Sequence, residues 1–347
     1  MAFDTSRHIP VRPDWLATHV EEALEPERLI IDPHHHLWSR PDSHYLAPEF
    51  LADLGSGHRV RATVFVEAHA MYRQGGDPLE RPLGEIEFAA KTGEEAARAG
   101  GPAICAGIVG TLDLQGGDRV RAVLEAAIAA GRGRLRGLRC SSVHHPDPAA
   151  RGSMLDFPPG MLGSSAFRAG FAHLAPLGLS FDAWMYHTQL DDCADLADAF
   201  PETTIILNHI GGPIGIGPYA GRRDEVFAEW AASLERLAKR PNVVVKLGGL
   251  GMKLFGFSLH ERPAAPDSSA VAAAWRPYVE TALSAFGVDR AMFESNFPVD
   301  KGSCSYVVLW NAFKRLADAF SASEKEALFA ATAARIYKID LPVDKEG

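Results

Sequence analysis

The sequence predicts an α/β protein built as a single-domain (β/α)8 TIM barrel with long βα loops, and three observations support this. Eight short apolar runs rich in β-branched residues alternate with longer segments of helical period. Strands separated by helix-length connections must lie parallel to one another. Histidines follow several of the runs, at positions that would face one pocket in a barrel.

The predicted strands span residues 28–34, 61–68, 103–112, 135–142, 179–186, 204–211, 242–249 and 290–297. Between the sixth and seventh of these strands, apolar residues recur at helical spacing, which predicts a helix with one apolar face. They are Phe227, Trp230, Leu234 and Leu237. Eight βα units favour a closed barrel over an open doubly wound sheet. The open sheet remains the alternative, although no GxGxxG motif follows the first strand. Segments 146–163 and 256–268 are predicted to be long βα loops at the catalytic face.

Length and composition define the class of protein. The 347 residues are 47% hydrophobic and 23% charged, an ordinary globular balance. We assign residues 1–28 to an N-terminal extension and residues 29–347 to the barrel. The net charge of −9 disfavours a nucleic-acid-binding surface, which would need clustered Lys and Arg.

Cysteine usage and hydropathy indicate the compartment. The four cysteines are scattered without a close pair, which suggests neither a disulfide framework nor a CxxC metal site. The first 26 residues lack the apolar core of a signal peptide, and no later stretch reaches the roughly 20 apolar residues that span a bilayer. We therefore expect a cytoplasmic protein without membrane or nucleic-acid partners. Whether it forms a homo-oligomer is left open.

Three consecutive histidines end the first predicted strand, in the stretch IDPHHHLW. Side chains alternate along a strand, so Asp32, His34 and His36 should share one direction while His35 points the other way. Two converging imidazoles can supply nitrogen ligands to one divalent metal. A lone histidine is more often a hydrogen-bonded loop residue. A functional site is favoured here because four histidines lie at predicted strand ends: His34, His36, His187 and His209.

Five motifs in order resemble the amidohydrolase superfamily, specifically its amidohydrolase 2 branch. They are DPHHHLW, MYHTQL, LNHIGGP, VVVKLGGLG and FESNFPVD, and the resemblance covers residues 29–337. It implies a (β/α)8 fold and a site made of His34, His36, His187, His209 and a residue ending strand eight. The branch is similar to lactonases acting on 2-pyrone-4,6-dicarboxylate, sugar-acid lactones and muconolactones, and it also holds metal-dependent decarboxylases.

A divalent metal, zinc or manganese, is expected on His34, His36 and His187, because neutral imidazoles suit these ions. Whether the protein contains one is left open. If it does not, the same histidines would act by direct hydrogen bonding.

The pattern breaks at strand eight. Members of the branch typically have Ser-Asp-aromatic-Pro there, whereas this chain has Asn296 between Ser295 and Phe297. An amide offers an acceptor and a donor but cannot take a proton, so Asn296 can orient a carbonyl or hold an oxyanion but cannot act as a general base. Another group must move the proton.

Three carboxylates are candidates for that proton transfer: Glu294, Asp300 and Glu67, which closes strand two. The alternative for Glu294 is a buried carboxylate paired with a barrel cation such as Lys246. The alternative for Asp300 is a loop cap or a partner of Lys301. We assign His209, Asn296, Glu294 and Asp300 to catalysis.

Basic residues at strand ends indicate a carboxylated small-molecule substrate. Arg139 on strand four is the best candidate, because a guanidinium can bind a carboxylate in a bidentate way. Lys246 on strand seven is a second candidate. Glu67 and His69 complete the expected substrate-binding set.

The leading hypothesis is a lactonase-type hydrolase, in which water opens a carboxylated cyclic ester in the catabolism of aromatic or sugar acids. The alternative is a metal-dependent decarboxylase or C–C-cleaving enzyme acting on an aromatic-derived acid. A third possibility is a barrel that has lost its chemistry and only binds a metabolite, because Asn296 replaces the aspartate of strand eight.

Overall fold

Eight parallel strands form the centre of the molecule in a computed structural model that describes residues 8–41, 43–152 and 154–340. They are β1 (Leu29–His35), β2 (Arg59–Val66), β3 (Ala103–Gly110), β4 (Leu135–Arg139), β5 (Ser180–Ala183), β6 (Ile205–Leu207), β7 (Val243–Leu247) and β8 (Ala291–Phe293). Each predicted run overlaps one of them.

The strands pair in sequence order from β1 to β8, each parallel to the next. Backbone contacts just beyond β8 complete the ring. A parallel bridge joins His35 to Phe297, and the backbone N–H of Asn296 donates to the His34 carbonyl over 2.9 Å. The predicted (β/α)8 barrel is confirmed, and its closure places the ends of β1 and β8 side by side.

Helices surround the sheet and follow its strands in turn. They are α1 (Ala47–Leu54), α2 (Leu83–Ala99), α3 (Val120–Ala130), α4 (Ser165–Phe171), α5 (Leu190–Ala199), α6 (Arg223–Ala238), α7 (Ser268–Phe286) and α8 (Tyr306–Leu316). In α6, Trp230, Leu234 and Leu237 are fully buried, as the helical spacing predicts, while Phe227 is only partly buried. In the described part of the chain, no helix is both long enough and apolar enough to span a membrane.

The barrel interior is filled from its lower end by the C-terminal helices. Small and branched side chains from the strands, including Ile31, Val64 and Val244, form a cluster with Tyr337. Tyr337 ends the helix Thr332–Tyr337, which follows the π-helical turn Ala327–Ala331. This plug leaves the C-terminal ends of the strands open for a site.

A polar layer lies above the plug. The Lys246 ammonium contacts Asp182 Oδ1 at 2.7 Å, and the Tyr337 hydroxyl donates to the same carboxylate at 2.9 Å. Asn208 Nδ2 also donates to Asp182. These groups are buried but paired, which removes the cost of isolated charges. On its other side Lys246 Nζ lies 3.3 Å from His34 Nδ1, so the layer supports the strand-end histidines directly.

The expected direction of Asp32 was wrong. The pairing of β1 with β2 shifts register between Asp32 and His35, so simple alternation fails there. Asp32 instead accepts a hydrogen bond from the Tyr306 hydroxyl of α8, at 3.0 Å. His35 points away from the barrel interior and stacks on Phe50 of α1 with ring centroids 4.1 Å apart.

We expect Tyr337→Phe to lower the free energy of unfolding by about 1–3 kcal/mol, because a buried charged acceptor loses a donor. Urea unfolding measures this. Tyr278→Phe is the matched control, since its hydroxyl accepts a hydrogen bond from the exposed Arg223, and it should cost less. Equal midpoints for Tyr337→Phe and the wild type would show that the hydroxyl adds nothing to the stability of the plug.

Candidate active site

A cavity of about 580 Å³ opens at the C-terminal ends of the strands. Its polar lining includes His36, Glu67, His69 and Arg139, and its apolar lining includes Trp38, Val143, Phe157 and Trp184. Trp38 lies in a short hairpin formed by Trp38–Arg40 and Ser43–Tyr45. The cavity therefore combines flat apolar surfaces with a few charged groups, as small-molecule sites do.

The hydrogen bonds of His34 define which of its ring nitrogens carries the proton. Arg139 Nη1 lies 3.2 Å from His34 Nε2, and a guanidinium can only donate. The Nε2 atom therefore accepts, and the proton is on Nδ1. That nitrogen lies 2.6 Å from Glu294 Oε2 in an ion-pair contact without hydrogen-bond geometry, since Oε2 has no hydrogen-bond partner among the described residues. Lys246 Nζ lies 3.3 Å from the same nitrogen, and a donor there opposes the Nδ1 proton.

His36 takes the same tautomer for a different reason. Its Nδ1 lies 2.8 Å from the Val66 carbonyl oxygen, which can only accept, so the proton is again on Nδ1. The free lone pair of His36 Nε2 then lies 3.2 Å from His34 Nε2 and 3.2 Å from Asn296 Oδ1. Three acceptor atoms converge at one point.

Glu294 connects the two histidines that end β1 and β6. Its Oε1 atom lies 2.6 Å from His209 Nδ1 and also accepts from the His209 backbone amide at 3.2 Å. Glu294 and both rings are buried. The pairing with His34 and His209 replaces the anticipated pairing with Lys246, whose ammonium contacts Asp182.

The VVVKLGG motif makes room for this arrangement. A Cβ atom on Gly249, whose φ is +71°, would lie 2.2 Å from His209 Nδ1, and one on Gly248 would lie 2.5 Å from Glu294 Cγ. Only glycine fits either position. The two glycines are visible in the sequence, but the side chains that they face could not be identified without the fold.

Asp300 stands behind Asn296. Asn296 Nδ2 donates to Asp300 Oδ1 at 2.8 Å, and the Gly251 amide donates to Oδ2 at 2.9 Å. Burial raises the pKa of Asp300 to about 8. The carboxyl group that this chain lacks at position 296 is thus present directly behind Asn296, where it orients the side-chain amide.

Burial keeps the histidines of this site neutral. Desolvation lowers the pKa of His34 and His36 well below the usual value, and Arg139 and Lys246 act in the same direction on His34. Desolvation also lowers the pKa of His209, against the opposing effect of Glu294. Neutral imidazoles are ligands and proton acceptors.

Arg139 is held by Glu67. Its Nε donates to Glu67 Oε1 at 2.7 Å and its Nη2 to the Glu67 carbonyl at 2.6 Å. Burial on its own would raise the pKa of Glu67, but Arg139 and His69 outweigh it and the pKa is lowered. Glu67 is therefore anionic, and Arg139 reaches the cavity with its charge largely balanced.

Of the predicted site residues, only His36, Glu67, His69 and Arg139 belong to the cavity lining found among the described residues. His34, His209, Glu294, Asn296 and Asp300 are buried behind it, and the structure does not bring His187 or Lys246 to it. His187 Nδ1 accepts from the Ile214 amide at 3.3 Å, and its ring packs edge-on against Tyr219 with centroids 5.4 Å apart. Lys246 is fully buried below His34. Among the described His, Cys, Asp and Glu residues, His34, His209 and Glu294 form a group that could hold a metal, with ligand atoms within 4.8 Å of one another.

Three site residues adopt left-handed backbone conformations. The φ angles are 54° at His69, 52° at His209 and 54° at Asn296. Such conformations cost energy in residues other than glycine and cluster at functional sites. Sequence reasoning did not identify Trp38 or Trp184; Trp38 follows His36 by two residues, a spacing that could have indicated it.

Comparisons with known proteins show which family this chain belongs to. The family model described as Amidohydrolase matches residues 31–339. The uncharacterized protein y4mH of Sinorhizobium fredii is 36% identical over 332 residues, 89% of this chain and 98% of that protein. The L-fucono-1,5-lactonase of Burkholderia multivorans is 28% identical over 331 residues, 91% of this chain and 98% of that enzyme.

The solved structure of a Burkholderia multivorans amidohydrolase with bound zinc has the same fold, with a TM-score of 0.70 and 26% identity. The match covers 90% of this chain and 100% of that one. The resemblance inferred from the five motifs is confirmed. The chain belongs to the amidohydrolase family and is an enzyme of its amidohydrolase 2 branch.

Proposed function

We propose that this enzyme is a lactonase-type hydrolase that opens a carboxylated cyclic ester. The observation that supports it best is the convergence of three acceptor atoms, on His34, His36 and Asn296, beside Arg139 at the base of the cavity. With a cation on these acceptors such a site could polarise a carbonyl, while Arg139 receives a carboxylate. The lactonase relative makes this chemistry the first choice.

The converging acceptors fit a divalent cation. Lone pairs that face one another at 3.2 Å repel unless a positive charge lies between them. Metal–nitrogen bonds of about 2.0–2.1 Å in a tetrahedral site separate two ligands by about 3.4 Å. His36 and Asn296 would hold the ion, zinc or manganese, and His34 would join them in place of His187 only after Arg139 Nη1, 3.2 Å from His34 Nε2, releases that lone pair. When bound, it would supply a Lewis acid for the carbonyl oxygen.

The Glu294 side of His34 is less suited to a cation. Lys246 Nζ lies 3.3 Å from His34 Nδ1 there, and a second cation beside that ammonium would be repelled. A second arrangement removes the repulsion without a metal: the Asn296 amide rotates, its NH2 donates to His36, and protonated Asp300 donates to the amide oxygen. Metal content distinguishes the two.

His209 is the proposed base. Its Nδ1 proton is fixed by Glu294 at 2.6 Å, so the lone pair is on Nε2. Its lowered pKa keeps that lone pair available at neutral pH. A carboxylate behind an imidazole orients the ring and stabilises the charge that forms when it takes a proton from water. Glu294 is thus a positioning residue, and Asp300 positions Asn296.

The substrate is received by Arg139 and by apolar surfaces. Arg139 has donors left on Nη1 and Nη2 after its contacts with Glu67 and His34. Trp38 and Trp184 provide flat surfaces for a ring. We propose that Lys246 acts through His34 and does not contact the substrate.

The test is a panel of carboxylated and uncarboxylated lactones with proton release as the readout. We expect one new carboxylate per turnover, faster opening of the carboxylated compounds, and no gas. Release of carbon dioxide from an aromatic-derived acid would favour the decarboxylase alternative. Ligand recovered unchanged from every reaction would favour a barrel that only binds a metabolite.

Metal content after zinc-supplemented purification should be close to one equivalent and should fall at least tenfold in His36→Ala, because a ligand is lost. The exposed His44→Ala variant is the control. Asn296→Asp should bind metal more tightly and react more slowly, since a carboxylate lowers the electrophilicity of the ion. Wild-type protein that holds less than about a tenth of an equivalent and is insensitive to chelator would support the rotated-amide arrangement.

Arg139→Ala should raise the KM for a carboxylated lactone by an amount equivalent to about 2–4 kcal/mol, because a desolvated charged partner is left unpaired. Steady-state kinetics measure this, with the exposed Arg98→Ala as control. Arg139→Ala also leaves Glu67 unbalanced, so the double variant Glu67→Gln/Arg139→Ala must show the same increase. An unchanged KM in both would place carboxylate recognition elsewhere.

A further inference from the structure

A second pair of proton-transfer groups lies along the cavity, away from Glu294. His69 Nε2 is 3.4 Å from Glu67 Oε2, and His69 Nδ1 is 3.0 Å from the Tyr72 hydroxyl. The His69 side chain is 33% exposed, whereas that of Glu67 is 1% exposed. A histidine that faces the cavity is thus backed by a buried carboxylate.

The two oxygens of Glu67 have different surroundings. Oε1 accepts from Arg139 at 2.7 Å, while buried Oε2 has no hydrogen-bond partner among the described residues. His69 Nε2 lies 3.4 Å from Oε2 without forming a hydrogen bond. A buried carboxylate oxygen without a donor is costly. A small movement of His69 toward it, or a proton shared with it, would remove that cost.

The loop that carries His69 is held in place from behind. Glu85 Oε1, on α2, accepts from the backbone amides of Ala68 and Ala70, each at 2.9 Å. These two bonds flank His69 and support its left-handed backbone conformation, with φ of 54°. The imidazole is therefore presented to the cavity by a fixed loop.

This pair is suited to a role that the inner histidines do not fill. His209 Nδ1 donates to Glu294 and His36 Nδ1 donates to the Val66 carbonyl, while His34 Nδ1 lies 2.6 Å from Glu294, so none of the three directs an N–H toward the cavity. Ring opening of an ester with an aliphatic leaving group needs a proton donor at the departing oxygen, because an alkoxide is strongly basic.

We propose, on the basis of the lactonase function above, that His69 is the general acid of ring opening and that Glu67 and Tyr72 position it. Water attacks the carbonyl carbon, and His209 Nε2 takes the proton that the water loses. The bond from that carbon to the ring oxygen breaks, the electron pair goes to the ring oxygen, and that oxygen takes the proton of His69 Nε2, while His69 Nδ1 stays on the Tyr72 hydroxyl. Exchange with solvent after product release restores both histidines, and the net reaction consumes one water.

The experiment compares two carboxylated lactones that differ in their leaving oxygen: an aliphatic δ-lactone, which releases an alkoxide, and a coumarin-type lactone, which releases a phenolate. We expect His69→Gln to lower kcat about 10²–10³-fold on the aliphatic lactone and less than about fivefold on the aryl lactone, which leaves without a proton. His44→Gln, at an exposed histidine, is the control. In His69→Ala, added imidazole should restore part of the lost rate.

Two results would overturn the proposal: the same loss on both lactones, or no loss on the aliphatic one. If His69→Gln unfolds more easily, Tyr72→Phe decides the matter, since it keeps the ring and should still slow the aliphatic lactone selectively. Wild-type protein that opens neither lactone would instead contradict the lactonase function itself, and this inference with it.

Discussion

The Glu294 carboxylate, buried between two imidazoles, is the constraint on which the rest of the site depends. Its oxygens lie 2.6 Å from His34 Nδ1 and 2.6 Å from His209 Nδ1, so both rings keep their protons there and direct their lone pairs away from it. The glycines of VVVKLGG, the bulge in β1 and the closure of β8 on β1 all serve to bring these three residues together. A neutral, acceptor-rich floor of the cavity is the consequence.

The neutral, acceptor-rich floor of the cavity explains what an amide at position 296 contributes. An aspartate there would add a negative charge beside two neutral imidazoles, whereas the amide adds only another acceptor, oriented by Asp300 at 2.8 Å. The proton-handling groups are then separated. In our proposal His209 takes the proton from water at the floor, and His69, backed by Glu67, returns one at the leaving oxygen. Arg139 contacts both regions, since it binds Glu67 and His34.

The sequence was sufficient for the fold and for the strand-end histidines. The alternation of β-rich runs and helices predicted the barrel, and the HxH spacing predicted that His34 and His36 would lie together, as they do at 3.2 Å. It was insufficient where register or long-range packing decides. Asp32 turned outward because of a bulge that periodicity does not show, and His187 was placed against Tyr219 by its loop. The partners of Glu294 depend on contacts between β1, β6 and β8, which no local pattern contains.

The tautomers of the site histidines test the account most directly. Nitrogen NMR of protein labelled with 15N-histidine, assigned with single His→Gln variants, reports which ring nitrogen carries each proton. The account predicts that His34 and His209 are protonated on Nδ1 and unprotonated on Nε2 at neutral pH, and that Glu294→Gln abolishes this preference. Protons found on Nε2 of either ring in the wild type would contradict it.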